Sequence, residues 1–141
     1  MAEAGGRDTA HAATSREKIR VVVVEEHSDF ARIVAGRIAE LIREKSARGE
    51  TTVLGLATGS TPIEIYRELI RMHAEEGLDF SKVVTFNLDE YYPMPPDSIH
   101  SFRRYMDENL FDGVNIPPQN IHFPRGDVPR DQIEAESAKY E

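Results

Sequence analysis

The sequence predicts an α/β domain, a parallel sheet flanked by helices. Three observations predict it. Short apolar runs at 19–24, 51–56 and 83–88, rich in β-branched residues, alternate with longer stretches of helical periodicity. Glycine, proline or small polar residues punctuate the junctions. The runs are nearly continuous in apolar character, as expected of parallel strands covered on both faces.

The elements follow in order. Residues 1–18 are rich in Ala, Gly, Thr and charged side chains and read as a disordered tail. They lack the apolar stretch of a secretory signal. Residues 19–141 read as the N-terminal part of one α/β domain. Ile19 to Val24 reads as the first strand, buried on both faces. A helix follows from His27 and Ser28, with Phe30, Val34, Ile38, Leu41 and Ile42 on one stripe and Gly49 as its stop signal. Thr51 to Leu56 is a second buried strand. The next helix opens on Thr61-Pro62-Ile63-Glu64, a capping box with proline at the first helical position, and ends at Gly77. Val83 to Leu88 is the third strand. Ser98 to Leu110 reads as a helix with Phe102, Tyr105, Met106 and Leu110 on one side. Ile121 to Phe123 is a short fourth strand, and 131–141 begins a charged helix. The order β-α-β-α-β-α-β-α implies a parallel sheet with helices on both faces. The last segment has a thin apolar stripe for a helix that covers a sheet, so the chain reads as the N-terminal part of a longer domain.

Composition narrows the partners. The chain has 141 residues, 40% of them apolar, with 17 basic and 25 acidic side chains and a net charge of −8. Nucleic acid or an anionic membrane would call for a basic patch, and none is visible. No apolar run approaches the roughly 20 residues needed to span a bilayer. The cytoplasm is the default compartment. There is no cysteine, which removes disulfides, thiol nucleophiles and thiolate–metal sites. His11, His27, His73, His100 and His122 show no metal-ligand spacing, so no metal or cofactor is expected.

Two constellations can carry chemistry. The first is Thr58-Gly59-Ser60-Thr61-Pro62, between a strand's carboxyl end and a helix start. That is where ligands bind in open parallel sheets, and a helix N-terminus offers unpaired N–H groups to an anion. Gly59 lets a phosphate approach the backbone, and Thr58, Ser60 and Thr61 add hydroxyls. A merely capped helix is the plainer reading. The spacing is neither that of a Walker A loop nor that of a dinucleotide fingerprint. The second is Asp89-Glu90, past the third strand on the same sheet edge. A carboxylate there can serve as a base toward a proton beside a carbonyl or iminium carbon; the alternative is a loop or helix cap. Tyr91 to His100, rich in proline and aromatic residues, either borders a pocket or is a rigid connection. Arg103 and Arg104 could pair with phosphate but fall on the solvated side of their helix.

Leu54 to Pro62 resembles the phosphate loop of the glucosamine-6-phosphate deaminase family, and Val83 to Tyr91 resembles that family's next active-site strand. The similarity runs on through Ser101-Phe102, Asn109 to Asp112, Ile116-Pro117 and Asn120-Ile121, covering about residues 19–141. The resemblance implies a Rossmann-like α/β fold. It implies conversion of glucosamine 6-phosphate and water to fructose 6-phosphate and ammonia, an aldose–ketose isomerisation coupled to hydrolytic loss of the amine. By resemblance Asp89 takes the proton from C2 of the opened sugar, while Thr58, Gly59, Ser60, Thr61 and Glu90 line the substrate site. The partner is then a small sugar phosphate, and a homo-oligomer is admitted. Family members carry a further motif, Gly-Asn-Asp-Gly-His-Ile-Ala-Phe-Asn-Glu-Pro, that supplies ring-opening groups and has no counterpart here. The chain by itself is therefore expected not to complete the reaction. Two other readings share the pattern: a 6-phosphogluconolactonase-like hydrolase, and a non-catalytic sugar-phosphate-binding domain.

Overall fold

The computed structural model describes residues 21–141. The expected tail at 1–18 and the first residues of the expected first strand lie outside that range. In chain order the elements are α1 (His27–Ala47), β1 (Thr52–Leu56), α2 (Ile63–Glu76), β2 (Val83–Asn87), α3 (Phe102–Asn109), β3 (Ile121–His122) and α4 (Ile133–Tyr140). Short 3-10 turns occupy Phe111–Gly113, Pro118–Asn120 and Arg130–Gln132. β1, β2 and β3 form a parallel sheet in that order. The α/β class and the parallel sheet are as the sequence predicts. No helix among the described residues is long and apolar enough to cross a membrane.

Val21 to Val24 corrects the expectation of a first strand. The segment forms no helix or strand and has no ladder partner among the described residues, and Val21, Val22 and Val23 are exposed. β-branched residues favour a pleated surface, but a strand exists only where a neighbour accepts its hydrogen bonds. No described strand runs beside this one.

The core lies on one face of the sheet. Thr52 and Leu56 of β1 alternate with exposed Val53, and Val83, Thr85 and Asn87 of β2 alternate with exposed Phe86. Both strands were expected to be covered on both sides. They are covered closely on one, where Leu56 and Val83 join residues of α1 and α2 in the main cluster. On the other face α4 reaches over only the carboxyl end, where Tyr140 meets Phe86 edge-on and donates to the Asn87 and His122 carbonyls. Phe86 also stacks on His122 at 4.4 Å.

In α1 the buried row is Ala31, Ala35, Ala39 and Ile42, with Phe30, Val34 and Ile38 only half-buried and Leu41 exposed. The expected stripe is therefore displaced toward the alanines. Small side chains let two helices approach closely, and α1 packs along α2. From α2 come Ile65, Tyr66, Leu69 and Met72. Gly77, with φ +68, ends α2 as its left-handed cap, and Gly49 takes φ +74 just beyond α1. Leu78, Phe80, Met106 and Leu110 are almost fully enclosed and complete the cluster. Asn120 donates to the Val83 carbonyl at 3.1 Å and thereby seats β3 beside β2.

Candidate functional site

β1 and β2 run in register from Thr52↔Val83 to Leu56↔Asn87. Thr58 lies two residues past Leu56, and Asp89 lies two residues past Asn87. Neighbouring strands stand about 4.8 Å apart. The structure therefore brings the turn at 58–62 and the carboxylate at 89 to adjacent places on one sheet edge. Asn87 ties the two strand ends together: its side-chain N–H donates to the Leu56 carbonyl at 3.2 Å. Asn87 is 2% exposed, and its Oδ1 has no partner among the described residues.

The turn is open. Gly59 sits at φ +102, a conformation closed to most side chains, and nothing lies within 4 Å of where its Cβ would be. Gly59, Ser60 and Thr61 are exposed and Thr58 half-buried. Among the described residues, no backbone N–H from Thr58 to Thr61 has a hydrogen-bond acceptor. Two carbonyls of the turn do have partners. Tyr66, on α2, donates its hydroxyl to the Ala57 carbonyl at 2.5 Å, and Tyr105, on α3, donates to the Gly59 carbonyl.

The expected capping box is absent. α2 starts at Ile63, the boundary residue Pro62 already has helical angles, and no side chain caps it. A cap needs an extended boundary residue whose side chain turns back over the helix. Glu64 instead pairs with Arg67, three residues on. The first N–H groups of α2 therefore remain open to an outside anion.

Asp89 and Glu90 are adjacent in sequence and unlike in setting. Asp89 is exposed, with no hydrogen bond or ion pair among the described residues. Glu90 turns inward. Its carboxylate accepts from the backbone N–H groups of Tyr91 at 2.9 Å, Phe102 at 2.9 Å and Arg103 at 3.0 Å, and from the Ser101 hydroxyl at 2.7 Å. Burial pushes the Glu90 carboxyl up. The donors from Phe102, Arg103, Ser101 and Tyr91 outweigh it, and the group sits below its ordinary value. Ser101 is the N-cap of α3 and accepts from the Arg104 N–H at 3.3 Å. The three leading N–H groups of α3 are thus all matched within the chain.

The loop from Tyr91 to Ser101 lies over this region. It contains a cis Tyr92–Pro93 bond, and the Tyr91 ring packs on Phe102 with centroids 4.6 Å apart. Met94 donates its N–H to the Gly126 carbonyl at 2.7 Å, and a Cβ at Gly126 would stand 2.3 Å from the Tyr91 carbonyl oxygen. His100 is exposed at the loop's end. Arg103 pairs with Asp107 at 3.0 Å and lies over the Phe111 ring; Arg104 pairs with Glu108 at 2.7 Å. Neither arginine is paired with a residue of the 58–62 turn. A cleft between this loop and the one after β3 is lined by Glu90, Met94, Arg103, Phe123, Arg125 and Asp127. No described group of three His, Asp or Glu side chains could hold a metal.

Sequence reasoning passed over Tyr66, Asn87, Ser101 and Tyr105. Asn87 carried a signal, as a lone amide inside an apolar strand. Ser101 carried another, as a hydroxyl before a helical stripe. The two tyrosines fall on apolar stripes of the sequence, and only the tertiary fold reveals where their hydroxyls go.

Comparison with known proteins bears on this geometry. Residues 25–141 match the family model described as glucosamine-6-phosphate isomerases/6-phosphogluconolactonase. Glucosamine-6-phosphate deaminase 2 of Giardia intestinalis is 53% identical over 119 residues, covering 84% of this chain and 43% of that protein. The glucosamine-6-phosphate deaminase of Halothermothrix orenii is 44% identical over 123 residues, covering 87% of this chain and 48% of that one. A solved monomeric glucosamine-6-phosphate deaminase superposes with a TM-score of 0.80 at 36% identity, over 87% of this chain and 48% of its own. A 6-phosphogluconolactonase from Thermotoga maritima superposes with a TM-score of 0.64 at 28% identity, over 84% of this chain and 49% of its own. The chain spans less than half the length of each of these relatives.

Proposed function

The chain belongs to the glucosamine-6-phosphate isomerase/6-phosphogluconolactonase family, and from that premise we propose that it carries the phosphate-holding and proton-abstracting part of a glucosamine-6-phosphate deaminase. The reaction takes glucosamine 6-phosphate and water to fructose 6-phosphate and ammonia. The observation that carries this reading is the register Leu56↔Asn87, which sets the open turn and Asp89 side by side.

In this reading Thr58, Gly59, Ser60 and Thr61 hold the phosphate through backbone N–H groups and hydroxyls, aided by the positive end of α2. Asp89 takes the proton from C2 of the opened sugar. Its exposure leaves both oxygens available to a substrate. Binding the phosphate, remote from C2, positions the reacting carbon against the carboxylate. Glu90 serves the substrate from behind: its oxygens hold the α3 end beside Asp89. The partner is a small sugar phosphate of the cytoplasm, and self-association is compatible with it.

Titration calorimetry with fructose 6-phosphate tests the binding half of the proposal. The chain is expected to bind it, to lose it to inorganic phosphate, and to ignore unphosphorylated fructose. Absence of phosphate-dependent binding overturns the reading. In a full-length version that also carries the ring-opening motif, ammonia release from glucosamine 6-phosphate, set against hydrolysis of 6-phosphogluconolactone, separates the isomerase/deaminase reading from the lactonase one. The greater identity to the solved deaminase than to the solved lactonase supports the first.

A further inference from the structure

The phosphate turn is gripped from behind by two tyrosines on two helices. Tyr66 of α2 holds the Ala57 carbonyl at 2.5 Å, and Tyr105 of α3 holds the Gly59 carbonyl, 46 residues away in sequence. A peptide unit is planar, and the 57–58 and 59–60 bonds are trans. The N–H of each unit therefore points away from its C=O. Fixing the Ala57 carbonyl fixes the Thr58 N–H, and fixing the Gly59 carbonyl fixes the Ser60 N–H. Both N–H groups lack an acceptor among the described residues.

A glycine at φ +102 with open space around it has no contacts of its own to set the following peptide plane. If that plane rotated, the Gly59 carbonyl would present its oxygen where an anion needs a donor. Both hydroxyls keep their protons at neutral pH. Burial pushes Tyr66 up to about 12, against the Ala57 carbonyl and with Tyr105 adding to the rise, and burial also raises Tyr105. As long as they are protonated they donate.

Resting on the sugar-phosphate reading above, we propose that Tyr66 and Tyr105 are positioning residues that orient the Thr58 and Ser60 N–H groups toward the substrate's phosphate. Tyr105 adds a second consequence. It stands on the helix whose N-terminus Glu90 caps, so α3 links the peptide plane at Gly59 to the residue next to Asp89. Phosphate site and base are then held at a fixed separation by one rigid element.

Tyr105→Phe and Tyr66→Phe keep the rings and remove only the hydroxyls. The probes are inorganic phosphate and fructose 6-phosphate, titrated into the chain while backbone amide shifts are followed by NMR. Tyr105→Phe is expected to weaken both ligands about five- to tenfold, the worth of one hydrogen bond. The phosphate-induced shift of the Ser60 amide should collapse while that of Thr58 persists, and Tyr66→Phe should give the converse. A purely structural tyrosine would lower the melting temperature and leave the affinities and this crosswise pattern untouched; that result overturns the proposal alone. Wild-type chain that binds neither probe overturns it together with the reading on which it rests.

Discussion

Two helices in this molecule start beside the same sheet edge, and their N-termini are finished in opposite ways. α3 is capped from within: Glu90 accepts from Phe102 and Arg103, and Ser101 accepts from Arg104. α2 has no side-chain cap, and the N–H groups of the turn before it are unclaimed among the described residues. The chain's own carboxylate therefore occupies at α3 the kind of place that the proposed substrate's phosphate would take at α2. The contrast also separates the two acidic neighbours. Glu90 is committed to the fold, and Asp89 stands exposed.

The largest expected effect breaks the comparison at Asp89. Made in a full-length version that also carries the ring-opening motif, Asp89→Asn should lower ammonia release from glucosamine 6-phosphate by about 10²- to 10⁴-fold, the usual contribution of a positioned base. Affinity for fructose 6-phosphate should stay unchanged. Retained turnover would take Asp89 out of the mechanism.

Next comes Glu90. Glu90→Ala strands three N–H groups and a hydroxyl, and should destabilise the fold by about 2–3 kcal/mol in urea melts at pH 7. The sign of the pH dependence follows from a lowered folded-state value. The stabilisation is fully present above the ordinary glutamate range and is lost as pH falls through the lowered value. The gap between wild type and Glu90→Gln should therefore close as pH falls below the ordinary glutamate range. A gap that is constant with pH would mean that the carboxylate charge has no part in the cap.

Gly59→Ala probes the open turn. Its Cβ meets nothing within 4 Å, so the whole penalty is torsional, about 1–2 kcal/mol. Ser101→Ala should cost about 1 kcal/mol, the value of one N-cap. Glu64→Ala should change stability by less than about 0.5 kcal/mol, because the exposed pair with Arg67 is its only side-chain interaction among the described residues. A cost near 1 kcal/mol there would restore the capping box and remove the contrast between the two helices.

The turn and Asp89 were readable because local pattern places them: glycine among hydroxyls after one strand, an acid after the next. The parallel sheet was readable from the same alternation. Glu90's commitment was hidden, since its partners other than the adjacent Tyr91 N–H lie 11 to 13 residues onward. In α1 bulk is a poor guide to the buried face. Ala31, Ala35 and Ala39 hold the interior because α2 runs close, a fact that belongs to the pair of helices and not to either alone. Val21 to Val24 had the composition of a strand without a described neighbour to pair with. Thr61 and Glu64 matched a capping pattern, but Pro62 already bends into helical angles and Glu64 has Arg67 within reach.

Gly126 sets a boundary on how this protein can change over generations. Its peptide touches the Tyr91–Met94 backbone so closely that even a methyl group would collide with the Tyr91 carbonyl. Two loops that lie 32 residues apart in the chain, from Met94 to Gly126, are therefore heritable as one unit. A lineage can reshape the proline-rich loop only by moving the segment after β3 with it. A substitution at Gly126 would thus be felt in the loop that follows Asp89 and Glu90, through backbone contact alone.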